Sequence, residues 1–377
     1  MNSTNDDDVY SAWKFVHHPE RIHAIRERRP VAPANLQIDL EGRCNHNCRF
    51  CAYRNAGFDE VGMRFTEPLR ISRERGFRLI DEIHELEIPS VEITGGGESM
   101  LWPWIEEFVD RLDHTELAIV THGHSLRPAI VDRIQRDSLR WIRFSLDSCT
   151  RETHARVHRV KETQFARVLD HMAYVLNKGF PNARIGVSYV VVPENVHEIA
   201  AAARFWKAFG VHNIRYSFTY DAGYEGRLSS EARERVFALM DEARAEQDDG
   251  FRVFGWKERL DNYAPGNSDF ATCGYQYGTI AIGNDGGVWP CCIVKYYPAY
   301  AIGNINEQSL GTILLGPGRE TYLKTFDPKG CPPCWLRDKN KFIEALASGC
   351  TRDLLGERHG EFERYARRTD APHLNFP

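Results

Sequence analysis

The stretch EGRCNHNCRFCAY, residues 41–53, is the most informative part of this 377-residue chain. It follows a short apolar run, Leu36–Leu40, that predicts a β-strand. Its three cysteines are Cys44, Cys48 and Cys51. Three thiolates this close together can bind one metal centre, and a [4Fe-4S] cluster held by three cysteines leaves one iron free to hold a small molecule. A structural zinc site needs four ligands, and it stays open as an alternative because His46 can serve as the fourth.

The composition is that of a globular protein with an unusual number of cysteines. Hydrophobic residues make up 42% of the chain, charged residues 27%, and the formal net charge is −5. The polar start MNSTNDDDVY is unlike a secretory signal, and no apolar run approaches the roughly 20 residues of a membrane helix. We therefore expect a cytoplasmic protein. In such a protein, ten cysteines favour metal binding over disulfide formation. The mild acidity argues against nucleic acid as a partner.

The middle of the chain alternates short β-branched or aromatic runs with longer amphipathic stretches. Strands are predicted at Leu36–Leu40, Ser90–Thr94, Leu117–Thr121, Trp141–Leu146, Ile185–Val192 and Asn213–Thr219. Helices are predicted at Arg73–Glu87, Phe165–Asn177, Val196–Phe209 and Ser229–Glu246. Six strand–helix repeats predict an α/β fold, a partial (β/α)6 TIM-type barrel whose chemistry lies at the C-terminal ends of the strands.

After Gly255 the character of the sequence changes, because helical periodicity fades and Pro, Gly, Asn, Tyr and Cys dominate up to Trp335. We predict four segments: an N-terminal extension (1–35), the barrel core (36–257), a small α+β domain (258–346), and a C-terminal helix with a polar tail (347–377).

The small domain contains a second set of cysteines. Asp285-Gly286-Gly287 predicts a hairpin turn that places Cys291 at a strand end, and Cys331-Pro332-Pro333-Cys334 is a C-x2-C loop. Cys273 supplies a fourth sulfur. The spacing alone leaves a zinc ribbon and an iron–sulfur site equally open.

The first cysteine run resembles the signature of the radical S-adenosylmethionine (SAM) enzymes, Cys-x3-Cys-x2-Cys with an aromatic residue before the third cysteine. The resemblance continues in chain order through Gly95-Gly96-Gly97-Glu98, Thr121-His122-Gly123, Ser145-Leu146-Asp147 and Asn195. It implies that the open iron binds SAM, which is cleaved to methionine and a 5′-deoxyadenosyl radical. It also implies a set of SAM-contacting residues: Phe50, Gly96, Gly97, Glu98, His122, Ser145, Asp147 and Asn195. Ser99 is a departure, since relatives usually have proline after the Gly-Gly-Glu motif.

Cys273-x12-Gly286-x4-Cys291 followed by a C-x2-C pair resembles the twitch module, the shortened form of the SPASM auxiliary-cluster domain. The resemblance implies one auxiliary [4Fe-4S] cluster on Cys273, Cys291, Cys331 and Cys334. A cluster with four protein ligands handles electrons and does not bind substrate directly.

Cys149, Cys292 and Cys350 remain outside both sets, and a free thiol is usually a small hydrophobic residue. Cys149 lies just past Asp147 at the mouth of the predicted barrel, where a thiol can donate a hydrogen atom to a substrate radical. That role would make the protein an epimerase.

We predict a radical SAM oxidoreductase of natural product biosynthesis that oxidises a C–H or alcohol carbon of a small polar metabolite, such as an aminocyclitol, sugar or nucleoside. An external one-electron reductant of the flavodoxin or ferredoxin type would serve it. Residues 1–35 are too few for a peptide-recognition domain, which favours the small substrate. The alternatives are the epimerase, a maturase of ribosomally made peptides, and a zinc-binding nucleic-acid protein.

Overall fold

The computed structural model describes residues 10–54, 62–218, 230–255, 268–368 and 373–376. The strands are β1 (Asn35–Asp39), β2 (Ser90–Thr94), β3 (Glu116–Thr121), β4 (Leu139–Ser145), β5 (Arg184–Val191), β6 (Asn213–Phe218), β7 (Arg252–Phe254), β8 (Thr279–Ile282), β9 (Gly287–Trp289) and β10 (Gly303–Asn304). No helix in the described ranges has the length and apolarity required to cross a membrane.

The α-helices are α1 (Pro19–Glu27), α2 (Arg73–Glu85), α3 (Ile105–Arg111), α4 (Pro128–Arg133), α5 (Arg151–His158), α6 (Thr163–Lys178), α7 (Ile199–Phe209), α8 (Ser230–Arg244), α9 (Tyr275–Gly278), α10 (Leu310–Leu315), α11 (Pro317–Thr325), α12 (Arg337–Ser348), α13 (Thr351–Leu355) and α14 (His359–Ala366). Short 3-10 helices lie at Ala12–His17, Ser99–Leu101, Val196–Glu198, Pro298–Tyr300, Pro328–Gly330 and Gly356–Arg358.

The chain divides into two compact units, one made of residues 39–71 and 93–257. In this unit β3 to β7 lie in chain order, and every neighbouring pair is parallel. A helix follows each of β3 to β6, as a parallel sheet requires. On α6 the apolar stripe of Val168, Met172 and Val175 is buried, and the helix ends at Gly179, whose φ of 65° suits glycine.

The other unit comprises residues 1–38, 72–92 and 258–377. Here β8 pairs in parallel with β1, and β8, β9 and β10 form an antiparallel meander. The predicted hairpin turn joins β8 and β9, with Gly286 at a φ of 81°. A separate apolar core holds the chain ends together and includes Trp13, Phe15, Ile25, Phe342 and Phe362.

Two local expectations need correction. The predicted helix Val196–Phe209 begins with one 3-10 turn before α7. The single charged helix expected near the C-terminus is two helices, α13 and α14, with Gly356 at a φ of 54° between them. The N-terminal extension contains the 3-10 helix Ala12–His17 and α1. The Ser229 end of another predicted helix lies outside the described residues.

The last described residues are docked against the protein. The Ser90 hydroxyl at the start of β2 donates to the Asn375 carbonyl at 2.7 Å. The buried Lys14 ammonium donates to the Phe376 and His373 carbonyls. Phe376 itself is buried. The polar character of this tail concealed its packing, because backbone carbonyls make most of the contacts.

Candidate active site and metal centres

The cysteine run forms a loop after β1, and all three of its cysteines are partly buried free thiols. The His46 amide donates to the Cys44 sulfur at 3.4 Å, and the Cys51 amide closes a turn on the Cys48 carbonyl at 3.2 Å. The Arg54 guanidinium donates to the carbonyls of Cys44 and His46. The loop is therefore held by its backbone, which leaves the sulfurs for a metal centre.

His158, at the end of α5, contacts this loop and was not foreseen from the sequence. Its Nδ1 lies 3.1 Å from the Cys48 sulfur, and its Nε2 lies 3.4 Å from the Asp147 carboxylate. Its carbonyl accepts the Asn47 amide at 3.0 Å. The only hint in the sequence was the spacing of His154 and His158, which places both on one face of a helix.

The three loop thiols titrate far from their usual range. Burial raises the pKa of the Cys44 thiol to about 12, with a further contribution from the Glu98 carboxylate. Burial also raises the pKa of Cys48 and Cys51. Since only thiolates bind iron, loading of this loop must release protons.

The Gly-Gly-Glu segment after β2 packs directly on the cysteine loop. A Cβ added to Gly97 would lie 2.3 Å from the Gly42 carbonyl oxygen, so only glycine permits this approach. The Glu98 amide donates to the Arg43 carbonyl at 2.9 Å, and Gly96 is buried beside them. The two motifs form one continuous structure.

The Glu98 carboxylate is fully buried and accepts bonds from within the protein. The Thr121 hydroxyl donates to it at 2.8 Å, and the His122 amide donates at 3.0 Å. Burial raises the pKa of Glu98 to about 7. In the structure Glu98 therefore links the ends of β2 and β3, and its contact with SAM stays a prediction.

Ser99, the departure from the family pattern, has a structural role. Its hydroxyl accepts from the Leu40 amide at 3.1 Å and donates to the Thr94 carbonyl. It thereby joins the residues at the ends of β1 and β2.

His122 lies between the end of β3 and the cysteine loop. Its Nε2 lies 2.7 Å from the Asn45 side-chain oxygen, and its ring stacks on His46 with centroids 3.9 Å apart. Burial lowers the pKa of His122 to about 3, so the ring is neutral. His122 therefore lies beside the cysteine loop, and its contact with SAM stays a prediction.

Ser145 is the last residue of β4, one residue before the predicted end at Leu146, and it is half-buried. The nearby Asp147 is fully buried and accepts a hydrogen bond from the Val190 amide. Burial raises the pKa of Asp147 to about 7. Phe50 lies edge-on to His158, with ring centroids 6.2 Å apart. The SAM contacts of these residues stay predictions.

Asn195 has no exposed surface, and its side chain forms hydrogen bonds with the backbone of the protein. Its amide donates to the carbonyls of Asp147 and Val190 at 2.9 and 2.8 Å, and its oxygen accepts from the Val192 amide at 2.8 Å. Asn195 therefore positions the segments that follow β4 and β5.

We expect Asn195→Ala to lower the free energy of unfolding by about 3 kcal/mol, because it leaves three buried backbone groups without partners. Urea-induced unfolding under anaerobic conditions measures this. The control is Asn182→Ala, which removes an exposed amide with one weak bond to the Asp137 carbonyl and should change stability by less than about 0.5 kcal/mol. Equal stability of the two variants would contradict the assignment.

The predicted second metal centre coincides with a cavity that all four predicted cysteines line: Cys273, Cys291, Cys331 and Cys334. The rest of its lining is mainly apolar: Phe270, Tyr275, Pro290, Ile293, Val294, Phe326, Pro328, Pro332, Leu336 and Asn340. Cys291 follows β9, and the Asn340 amide lies 4.0 Å from the Cys334 sulfur. Four sulfurs in an apolar enclosure fit a fully ligated iron–sulfur cluster.

Family models match both parts of the chain. Residues 41–205 match the radical SAM superfamily, and residues 273–335 match the SPASM iron–sulfur cluster-binding domain. The chain is a radical SAM enzyme with an auxiliary-cluster domain. Its radical SAM domain binds SAM and a [4Fe-4S] cluster, and its SPASM-type domain provides for auxiliary clusters, as the sequence predicted. No protein of curated function matches the sequence.

Solved structures of similar fold agree. SuiB of Streptococcus suis bound to SAM is 14% identical, with a TM-score of 0.61 over 82% of this chain and 72% of that chain. anSMEcpe with bound AdoMet is 14% identical, with a TM-score of 0.54 over 88% of this chain and 98% of that chain. At this identity the likeness shows the fold alone. The predicted fold, a partial TIM-type barrel with a C-terminal twitch domain, is confirmed for this radical SAM enzyme.

Proposed function

We propose that this radical SAM enzyme oxidises a C–H or alcohol carbon of a small polar metabolite, such as an aminocyclitol, sugar or nucleoside. The observation that carries the proposal is the auxiliary site, where four cysteines line one apolar cavity. Four protein ligands saturate a four-iron cluster, so it transfers electrons and does not bind substrate. Oxidation is the reaction that requires such an electron acceptor.

Half-buried side chains of the parallel strands support a polar substrate. Ser145, Ser188 and Arg215 are aligned across β4, β5 and β6, and each is half-buried. The alternating neighbours on the same strands, such as Phe144 and Ile214, are fully buried. The partly accessible face is therefore polar and cationic near the strand ends where parallel-sheet enzymes bind ligands.

When bound, SAM and a reduced cluster would supply a 5′-deoxyadenosyl radical that takes one hydrogen atom from the substrate. Cys273, Cys291, Cys331 and Cys334 would hold the acceptor for the remaining electron, so that an alcohol carbon, after losing one proton, would become a carbonyl. The electron that cleaves SAM comes from an external reductant, which we propose is of the flavodoxin or ferredoxin type.

The test is anaerobic incubation of the loaded enzyme with SAM, dithionite and panels of aminocyclitols, sugars and nucleosides. The expected product has lost two hydrogens and reacts with a carbonyl reagent, and one equivalent of 5′-deoxyadenosine accompanies it. A product of unchanged mass that carries solvent deuterium would refute oxidation.

Epimerisation is the second candidate, and Cys149 favours it. The Cys149 amide donates to the Glu198 carboxylate at 2.7 Å, just after Asp147. Burial, then the Glu198 charge, raises the pKa of the Cys149 thiol to about 12. The group therefore stays S–H at neutral pH, the form that donates a hydrogen atom.

For an oxidase, Cys149→Ala should keep the product yield within about twofold of the unsubstituted enzyme, since Cys149 takes no part in the reaction. For an epimerase it should abolish product while SAM cleavage continues. The yield of product per 5′-deoxyadenosine separates these outcomes.

Peptide maturation lacks a favouring observation in this chain. SuiB bound to the precursor peptide SuiA has a TM-score of 0.59 at 13% identity, over 86% of this chain and 75% of that chain, which concerns the fold alone. The zinc-binding nucleic-acid alternative does not account for the radical SAM match over residues 41–205.

A further inference from the structure

Arg319, on α11, is a buried cation that lacks an anionic partner among the described residues. Only 4% of its surface is exposed. Its Nη2 donates to the Gln276 carbonyl at 3.1 Å, whereas its Nη1 is buried without a hydrogen-bond partner. In the described ranges, no aspartate or glutamate forms an ion pair with it. A buried charge is normally paired, so this guanidinium calls for an anion nearby.

Gln276 connects Arg319 to the auxiliary site. Gln276 lies in α9. Its backbone carbonyl accepts from Arg319, and its backbone amide donates to the Cys273 sulfur. Burial lowers the pKa of Arg319 only to about 10, which leaves it charged at neutral pH. A single residue, Gln276, therefore connects the Arg319 cation to Cys273, a proposed ligand of the cluster.

Tyr322 is a second buried polar group at the same place. The Arg319 guanidinium lies 5.3 Å from the centre of its ring. Its hydroxyl is buried without a hydrogen-bond partner, and it interacts electrostatically with Cys273, Cys291 and Cys331. Tyr322 therefore offers an O–H donor that has no acceptor among the described residues and lies within electrostatic range of three of the four cysteines.

We propose that Arg319 is the counter-charge of the auxiliary cluster, that the Tyr322 hydroxyl donates to one of its sulfurs, and that together they raise its reduction potential. This inference rests on the proposed placement of that cluster on the four cysteines. A reduced cluster carries one more negative charge than the oxidised form, so a fixed cation in a low-dielectric enclosure stabilises the reduced form more. Both are positioning residues that make the cluster a better electron acceptor.

The test uses the full chain with Cys44, Cys48 and Cys51 replaced by alanine, so that the auxiliary cluster is the one that remains. An anaerobic redox titration followed by electron paramagnetic resonance measures its midpoint potential. In Arg319→Met we expect the ratio of reduced to oxidised cluster at a fixed potential to fall at least about tenfold, a shift of about −59 mV. Arg319→Lys should recover most of the shift, and Tyr322→Phe should move the potential in the same direction by less.

The matched control is Lys324→Met, which removes an exposed charge from the same helix and should leave the potential unchanged. An unshifted potential in Arg319→Met with full iron would overturn the proposal, as would equal shifts in Arg319→Met and Arg319→Lys. If Arg319→Met does not fold, Arg319→Gln takes its place, and an unshifted potential in both iron-loaded Arg319→Gln and Tyr322→Phe overturns the proposal. The redox titration needs no substrate. Its result is therefore independent of whether the enzyme forms a carbonyl product, and the two proposals can fail separately.

Discussion

Replacing Cys44, Cys48 and Cys51 together by alanine should abolish SAM cleavage and halve the iron content of the reconstituted enzyme. On our assignment this loop holds the cluster with the open iron, so without it SAM would have no reductant and no binding iron. Iron analysis and chromatography of 5′-deoxyadenosine measure the two effects. The auxiliary cluster should remain, because its four cysteines lie in a separate cavity.

The control for this experiment is Cys350→Ala. Cys350 is exposed, and its sulfur makes only a long contact of 3.8 Å with the Ser348 carbonyl. This variant should keep full iron and full SAM cleavage. Substantial 5′-deoxyadenosine from the triple variant would refute the assignment of the loop.

Replacing Cys291 by alanine should have a large effect, whereas replacing its neighbour Cys292 should have almost none. Cys291 lines the auxiliary cavity, whereas Cys292 is outside its lining. We expect Cys291→Ala to lose the auxiliary cluster and to form no oxidised product, while SAM is still cleaved to 5′-deoxyadenosine. The reason is that the substrate radical still forms but its electron has no acceptor.

Cys292→Ala should retain both clusters and form product at close to the unsubstituted rate. Iron content, the electron paramagnetic resonance spectrum and the yield of product per 5′-deoxyadenosine distinguish the two variants. Full product from Cys291→Ala would remove the electron-transfer role from this site, and loss of the cluster in Cys292→Ala would reassign its fourth ligand.

The strands of the core were predictable because each is a short apolar run with clear turn signals. Ser90–Thr94 is the same in prediction and structure, and β3 differs from its prediction by one residue at one end. β6 begins at Asn213 as predicted, and its predicted end, Thr219, lies outside the described residues. The ends of these strands carry Thr94, Thr121 and Ser145, as expected. Helix ends were less certain, since the 3-10 turn before α7 has the same apolar periodicity as the helix that follows.

The packing between motifs was not predictable. The contact of His158 with Cys48 joins residues 110 positions apart, and nothing in the local sequence indicates it. Ser99 looked like a departure from a pattern, yet it joins the ends of two strands. The burial of Arg319 was likewise not foreseen, because charged side chains are rarely fully buried and no local pattern marks this one.

The sequence by itself therefore predicted two sets of cysteines for iron–sulfur clusters and the positions of the core strands, because thiolate spacing and hydrophobic periodicity are local properties of the chain. Only the tertiary structure decided what surrounds those centres. The contact between His158 and Cys48, the internal bonding of Glu98 and Asn195, and the burial of Arg319 arise from residues distant in sequence. Their energies depend on burial and geometry that exist only in the folded protein.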